Sequence, residues 1–425
     1  MLDQLPLEIL HMVAHAVNCS TDLSKLSRAN KHLHQSLVPL LYETAVIKTN
    51  EEFLDQLELT PVKTWFRQDG SKTIFNTLEF AKHLKLVAPI EEKLQKRCYY
   101  GDVYIEHPRT PKHWTANLES HYFGMEDLVS NFQNLLFHLP EQSLRSFSYV
   151  GFVSSSVAGT DDRSWHLGCC VPSSILGIDG WLPSKHSEIR TLSLITDGTC
   201  YSQEPEEAGI LKLTQIRSFS WKGFEEHDIH QHHMIRQCLA LNSAHLESLE
   251  LEPTVKVDGA VEIDQLLNIQ SDFLDVELDG HTAPVAHPDE CSLLAETSPT
   301  KLVVLRHLSL FNILLGSYEE LMSAINLHQL QSLKLLVCVY GSNILSGMSS
   351  SGKRINLRSF EWVSGDILEI YRGVRHISEF LKSFEGLEEL YLSTSPSALS
   401  LNDIISQHRA TMKRLVFHMR GLNET

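Results

Sequence analysis

The sequence predicts an α/β protein in which three N-terminal helices precede a solenoid of repeats with a parallel sheet on its concave side. The first observation is an apolar-x-x-apolar-x-apolar pattern that occurs nine times from residue 144 onward, with six of the eight spacings at 25–30 residues. The second is that stretches with helical apolar period, such as 319–330, lie between copies. The third is that residues 1–50 lack the pattern and place apolar residues at helical spacing.

Each copy of the pattern predicts one short strand. Its last two apolar residues are two apart, so they lie on the same face of a strand. One strand and one helix cannot bury both of their apolar faces alone, whereas stacked units can. The nine copies begin at Leu144, Ile189, Ile216, Leu246, Leu305, Leu330, Leu357, Leu387 and Met412.

Several places interrupt or extend this array. The longest gap, of 59 residues, predicts a degenerate copy at 273–278, and residues 81–86 predict a further copy upstream. We expect insertions near 151–187 and 279–300. The Ser- and Gly-rich stretch 341–352 is expected to form a loop where a repeat helix would otherwise lie.

Leu-x-x-Leu-x-Leu at this period resembles the leucine-rich repeat, and the resemblance covers residues 75–425. The Asn or Cys that this family carries downstream is mostly missing, and Asn312 comes closest to it. The resemblance therefore implies irregular repeats whose turns are held by other contacts. The alternative is a chance layering of strands and helices of another kind.

Three short helices are expected in residues 1–50. Pro6 suits the first turn of a helix, and apolar residues at helical spacing follow it. Thr21 or Asp22 can cap the second helix, and the third is expected to be interrupted near Pro39. So small a unit buries too little surface to be secure alone, so we expect it to dock on something else.

Three segments of this unit resemble the F-box. They are Leu-Pro-x-Glu-Ile-Leu at 5–10, Asp-Leu-x-x-Leu at 22–26 and Ala-Asn-Lys-His-Leu at 29–33, the last of which departs from the family's usual residues. In F-box proteins with leucine-rich repeats, the box binds a Skp-type adaptor that joins a cullin scaffold. The repeats of such proteins select a protein for ubiquitination. The resemblance implies adaptor binding by Leu5, Pro6, Ile9, Leu10, Val13, Leu23, Leu26 and Leu33.

The resemblance thus implies the substrate-recognition subunit of a cullin-type (SCF) ubiquitin ligase. One alternative is a non-degradative interaction scaffold that uses the same adaptor-binding box. Another is that the three helices merely cap the solenoid. Chains that combine a box with irregular repeats are common in filamentous fungi.

Composition and charge restrict the partners. The formal net charge of −17 disfavours binding to nucleic acid, which needs a basic surface. No apolar run approaches the roughly 20 residues that span a membrane, and the N-terminus lacks the basic region of a signal peptide. The 8 Cys show no CxxC spacing, which favours reduced thiols in the cytoplasm or the nucleus.

The sequence carries little that indicates catalysis. It contains none of the usual phosphate-binding, nucleophile-elbow or metalloprotease motifs, so we expect no enzyme and no cofactor. The best metal candidate is His227 with His230 and His233, on one side of an expected helix. A solvated helix face is the preferred interpretation, and no metal is expected. Small apolar roles in the core are expected for Cys19, Cys98 and Cys238.

A partner surface is expected on the face of the strands that points away from the core, where most positions are Ser. The residue that follows the first apolar position is basic in six of the nine copies. These side chains either pair with the protein's own carboxylates or capture an acidic or phosphorylated segment of an unknown substrate protein. The candidate substrate-binding residues are Arg145, Arg190, Arg217, Arg306 and Arg358.

Two further surfaces are open to interpretation. Residues 246–300 contain 13 Asp or Glu and one Lys, which indicates either a solvated insertion or an acidic contact surface for a basic partner. Trp165 and Trp181 lie in the 151–187 insertion. They either pack beneath a loop or form part of a partner surface.

Overall fold

A computed structural model describes residues 5–17, 20–48, 78–90, 136, 139–153, 171, 173–196, 209–224, 229–254, 261–267, 300–364, 367–394 and 406–419. The chain divides into two compact units, Met1–Ile216 and Arg217–Thr425. Within the described ranges, no helix is long and apolar enough to cross a membrane.

Three helices open the first unit. They are α1 (Leu7–Ala16), α2 (Ser20–Ser27) and α3 (Lys31–Leu41), as the apolar spacing predicted. Residues four apart on α1 and on α3 bury their side chains against one another, because they lie on one face of each helix. The buried cluster contains Leu10, Ala14, Leu33 and Leu37, with Leu5, Leu23, Leu26 and Leu40 packed against it.

The ends of these helices differ from the expectation in two places. Thr21 and Asp22 do not precede α2, because the helix already begins at Ser20 and both residues lie in its first turn. Pro39 does not interrupt α3, because it removes only its own N–H near the end, and the Tyr42 N–H still donates to the Val38 carbonyl at 3.1 Å. The sequence reasoning overlooked Asn30, whose side chain accepts from the Leu33 N–H at 2.8 Å and caps α3.

Four parallel strands follow in the first unit. They are β1 (Thr44–Lys48), β2 (His83–Ile90), β3 (Ser146–Val153) and β4 (Thr191–Ile195), and each pairs with the next. β2 is the upstream copy that the repeat pattern predicted, whereas β1 carries no copy and was not predicted. Two short helices, α4 (Ser173–Leu176) and α5 (Trp181–Lys185), precede β4.

The second unit continues the same plan. Its strands β5 (Ser218–Phe224), β6 (Ser248–Pro253), β8 (His307–Phe311), β10 (Ser332–Leu336), β11 (Ser359–Val363), β12 (Glu389–Thr394) and β13 (Arg414–Met419) are parallel and pair in that order. A small separate pair joins β7 (Val261–Glu262) to β9 (Ile313–Leu314). The helices of this unit are α6 (Ile229–Asn242), α7 (Ile263–Leu267), α8 (Tyr318–Ala324), α9 (Gly341–Ser350) and α10 (Ile367–Lys382).

The apolar positions of the repeat pattern lie in register across the second unit. Leu308 pairs with Leu333, which pairs with Phe360, which in turn pairs with Leu390, and all four are buried. Along β10 and β11, the residues on either side of each buried position are less buried, so burial alternates along these strands. The α/β class and the parallel strands predicted from the pattern are confirmed.

The degenerate copy expected at 273–278 lies outside the described residues. Leu249 of β6 nevertheless pairs directly with Leu308 of β8, so no strand lies between β6 and β8.

The loop expected at 341–352 is also wrong, because residues 341–350 form the helix α9. Glycine is needed there for close packing. A Cβ on Gly341 would lie 2.8 Å from the ring of Trp362, and one on Gly347 would lie 2.3 Å from Tyr318. The small residues therefore let this helix approach its neighbours and do not break it.

Candidate functional site

The N-terminal helices separate the predicted adaptor-binding residues into two groups. Leu10 and Leu33 are fully buried in the three-helix cluster, and Leu5, Leu23 and Leu26 are partly buried against it. These five residues hold the unit together. The other three are exposed or partly exposed: Pro6 immediately before α1, and Ile9 and Val13 on it.

The exposed side of α1 carries large apolar residues next to Glu8, which is also exposed. The side chain of Ile9 is 41% exposed and that of Met12 is 68% exposed. Met12 lies three residues after Ile9, so these two side chains share one side of the helix, away from Leu10 and Ala14. Val13, four residues after Ile9, lies between that side and the buried one and is partly exposed. Met12 was overlooked in the sequence because it lies outside the motif, although its spacing from Ile9 could have indicated it.

On the strand face that points away from the core in the second unit, charged and hydroxyl side chains pair with one another. Lys222 contacts Glu250 at 2.9 Å and Glu252 at 3.2 Å, and Ser220 donates to Glu250 at 2.8 Å. Burial tends to raise the pKa of Glu250, but the hydrogen bonds from Lys222 and Ser220 outweigh it and hold the pKa below its usual value. Ser, Lys and Glu here therefore bind one another across neighbouring strands.

The residue immediately before each of the seven parallel strands of the second unit belongs to a row across the sheet. We call this row the edge row. Successive members are joined by backbone hydrogen bonds, in which each N–H donates to the carbonyl of the preceding member at 2.7–2.8 Å. Neighbouring side chains therefore stand one strand spacing apart, about 4.8 Å. In order, the edge row is Arg217, Glu247, Arg306, Gln331, Arg358, Glu388 and Lys413.

Two of the predicted arginines in the edge row have internal partners. Arg217 contacts Glu247 at 2.9 Å, and Arg358 lies 3.9 Å from Glu388. A hydrogen bond from Lys413 to Glu388, at 2.6 Å, holds the pKa of that carboxyl below its usual value. The internal interpretation therefore applies to Arg217 and Arg358.

Arg306 is different. Within the described part of the chain it has no carboxylate within 4 Å, although it stands between Glu247 and Gln331 in the edge row. In the first unit, Arg190 donates its backbone N–H to the Arg145 carbonyl at 2.8 Å, so these two residues are also strand neighbours. Both are exposed, and neither has an ion pair with another described residue.

A cavity of about 970 Å³ opens beside the edge row at the beginning of β8, β10, β11 and β12. Its cationic lining is Arg306, Arg354 and Arg358, and its acidic lining is Glu385 and Glu388. Arg354 was missed from the sequence because it lies in a turn outside the repeat pattern, four residues before Arg358. We call this cavity the arginine pocket.

The histidine-rich segment does not assemble a metal site in the part that can be described. His227 lies outside the described residues, His230 is exposed, and His233 lies 2.7 Å from the Gln237 amide. His232 is buried against the ring of Phe224, so α6 is not simply a solvated face. Among the described residues, no three His, Cys, Asp or Glu side chains are placed to hold a metal ion.

Of the three cysteines expected in the core, Cys238 is confirmed as buried, while Cys19 and Cys98 lie outside the described residues. Burial raises the pKa of the Cys238 thiol to about 12, so the thiol is protonated and unreactive at neutral pH. Trp165 also lies outside the described ranges, and Trp181 is half-buried with its ring 4.6 Å from that of His186.

No protein-family model matches the chain, and no curated protein sequence matches it significantly. The functional assignment therefore rests on two surfaces: the exposed apolar side of α1 and the arginine pocket.

Proposed function

We propose that this chain is the substrate-recognition subunit of a cullin-type (SCF) ubiquitin ligase. The three N-terminal helices act as an F-box that binds a Skp-type adaptor. The repeats form a leucine-rich-repeat-like solenoid with a concave parallel sheet, and they bind a substrate protein. The chain then carries out no chemistry itself, and it raises the concentration of the substrate near the ubiquitin-charged enzyme.

The exposed apolar side of α1 is the observation that carries this proposal. Ile9 and Met12 are large apolar side chains that the three-helix cluster does not cover. An uncovered apolar helix face next to a small core is typical of a surface that packs against a partner's helices or groove. It coincides with the segment that resembles the adaptor-binding motif.

The arrangement of the strands supports the solenoid part of the proposal. In both units, strands that follow one another in the repeat pattern are also neighbours and parallel. Helices such as α9 and α10 lie between consecutive strands along the chain. This is the order expected when supersecondary units stack one upon the next.

Co-expression with a Skp-type adaptor tests adaptor binding. The variant Ile9→Asp/Met12→Asp should lose co-purification of the adaptor, because two charges cannot be buried at an apolar interface. Leu241→Asp is the matched control, since Leu241 is an exposed leucine on α6, 49% exposed. Equal recovery of adaptor by both variants, with unchanged melting temperature, would exclude α1 as the docking surface.

A second measurement separates the ligase subunit from the alternative, a non-degradative scaffold. Proteins that co-purify with the chain are identified, and their half-lives are compared in cells that carry the wild type or Ile9→Asp/Met12→Asp. A ligase subunit predicts that bound proteins become longer-lived in the variant. A scaffold predicts unchanged half-lives.

A further inference from the structure

The charges of the edge row alternate except at one position. Arg217, Glu247 and Arg306 alternate in sign, as do Arg358, Glu388 and Lys413. Gln331 stands between Arg306 and Arg358, where strict alternation would place a carboxylate. The row therefore lacks one negative charge at this point, although the whole chain has a net charge of −17.

This gap lies inside the arginine pocket. Arg306, Gln331 and Arg358 all line it, and Arg354 adds a third guanidinium from the turn before β11. Neither Arg306 nor Arg354 has a carboxylate within 4 Å among the described residues. Guanidinium groups brought together in this way repel one another unless anions lie between them.

The rest of the lining indicates what kind of anion fits. Val303, 56% exposed, and Val304 present aliphatic surface at the same opening. The pocket's own Glu388 is already bound by Lys413. Burial lowers the pKa of His408, and the nearby charge of Glu385 only partly opposes that shift. An incoming anion is therefore attracted to the Arg306–Arg354 side and repelled from the side of Glu385.

We propose that the arginine pocket binds an extended acidic segment of a polypeptide. Its carboxylate or phosphate groups contact Arg306 and Arg354 across the position of Gln331, and a neighbouring aliphatic side chain packs on Val303 and Val304. A cavity of about 970 Å³ has room for a segment of several residues, which a single small anion would not fill. This assignment depends on the proposed function only for the role of the bound segment, which would belong to the substrate.

The sharpest test supplies the missing charge. Gln331→Glu keeps the shape of the side chain and places a carboxylate between Arg306 and Arg358, so it competes with the incoming anion. The probe is a fluorescein-labelled eight-residue peptide in which Glu and Val alternate. Gln331→Glu should weaken its binding by about tenfold or more, as measured by fluorescence anisotropy with the full chain. The control Gln407→Glu makes the same change at an exposed residue outside the lining and should stay within about twofold of the wild type.

Two further peptides identify the interaction. The wild type should bind the Glu peptide and not a version with Gln in place of every Glu. A peptide with phosphoserine at two central Glu positions should bind at least as tightly, and tighter binding would identify phosphate as the preferred anion. Equal binding of the Glu and Gln peptides would overturn the proposal, and so would wild-type affinity in both Gln331→Glu and Arg306→Gln.

Adaptor co-purification from the same preparations keeps this outcome separate from the proposed function. Gln331→Glu should retain the adaptor and lose the peptide. A chain that binds the peptide but never the adaptor would leave the arginine pocket standing and remove the ligase assignment. The reverse result would remove the pocket alone.

Discussion

The Nδ1 atom of His186 lies 3.4 Å from the backbone nitrogen of Leu144, the first apolar residue of the preceding repeat. His408 makes the same contact with the Leu387 N–H, also at 3.4 Å, and its Nε2 lies 2.8 Å from the Leu381 carbonyl. Both rings are buried. In the described part of the chain, a buried histidine therefore contacts the first apolar residue of the preceding repeat in at least two places.

This contact predicts that acid weakens the fold. An Nδ1 that accepts from an amide cannot carry a proton, and burial lowers the pKa of His186 to about 4. In the unfolded chain this imidazole binds a proton near pH 6.5, whereas in the folded chain it does so only near pH 4. The free energy of unfolding therefore decreases as pH falls from about 6.5 to 4. The loss from His186 is on the order of 2–3 kcal/mol.

Urea unfolding at pH 7, 6 and 5 measures this effect. His186→Asn keeps an acceptor near the Leu144 N–H without a titrating ring, so its midpoint should fall less steeply with pH than that of the wild type. His34→Asn, at an exposed position, should follow the wild type. Parallel pH profiles for His186→Asn and the wild type would contradict the prediction.

Core truncation should be costly in the middle of the array. Leu308 and Leu390 are each 1% exposed and stand in the paired apolar row. Replacing either by Ala removes buried methyl groups and leaves a cavity, which should cost roughly 2–5 kcal/mol. The exposed control Val303→Ala should change the urea midpoint little, and similar midpoints for all three variants would argue against the repeat register.

Replacing a glycine of α9 by alanine should destabilise the protein, although the same change usually stabilises a helix. At an exposed helix position, Gly→Ala stabilises by roughly 0.5–1 kcal/mol. At Gly347 the new Cβ would lie 2.3 Å from Tyr318, so we expect Gly347→Ala to destabilise by about 1–3 kcal/mol. Thermal unfolding compares it with Ser350→Ala on the exposed side of the helix, and a melting temperature at or above that of the wild type would refute the packing argument.

Local sequence pattern predicted those features whose cause is local. The alternation at Leu308 and Leu310 follows from the period of a strand, so the pattern located these strands and their buried side chains. The helix at Gly341–Ser350 was wrongly predicted as a loop because its composition favours one. Its glycines are explained by close packing against Trp362 and Tyr318, which lie outside this segment of the sequence. Tertiary packing overrode propensity there.

The candidate sites show the same division. The arginines of the edge row were found because each occupies a fixed place in the repeat. Arg354 and Val303 were not found, because the arginine pocket is assembled from turns of different repeats that only stacking brings together. Which arginines have internal carboxylates also depended on the strand order, since Glu247 neighbours Arg217 across the sheet and not along the chain.

The last prediction concerns this internal pair. Arg217 and Glu247 are both substantially exposed, so their contact at 2.9 Å should contribute only about 0.2–1 kcal/mol. A double-mutant cycle with Arg217→Ala, Glu247→Ala and the double variant measures this coupling, which should shrink as salt is added, because the pair is open to solvent. Arg190→Ala provides the comparison, since Arg190 has no ion pair with another described residue and its loss should leave the urea midpoint nearly unchanged. A coupling above about 2 kcal/mol, or one that salt does not alter, would show that the pair is shielded from solvent and would contradict the open edge row described for this unit.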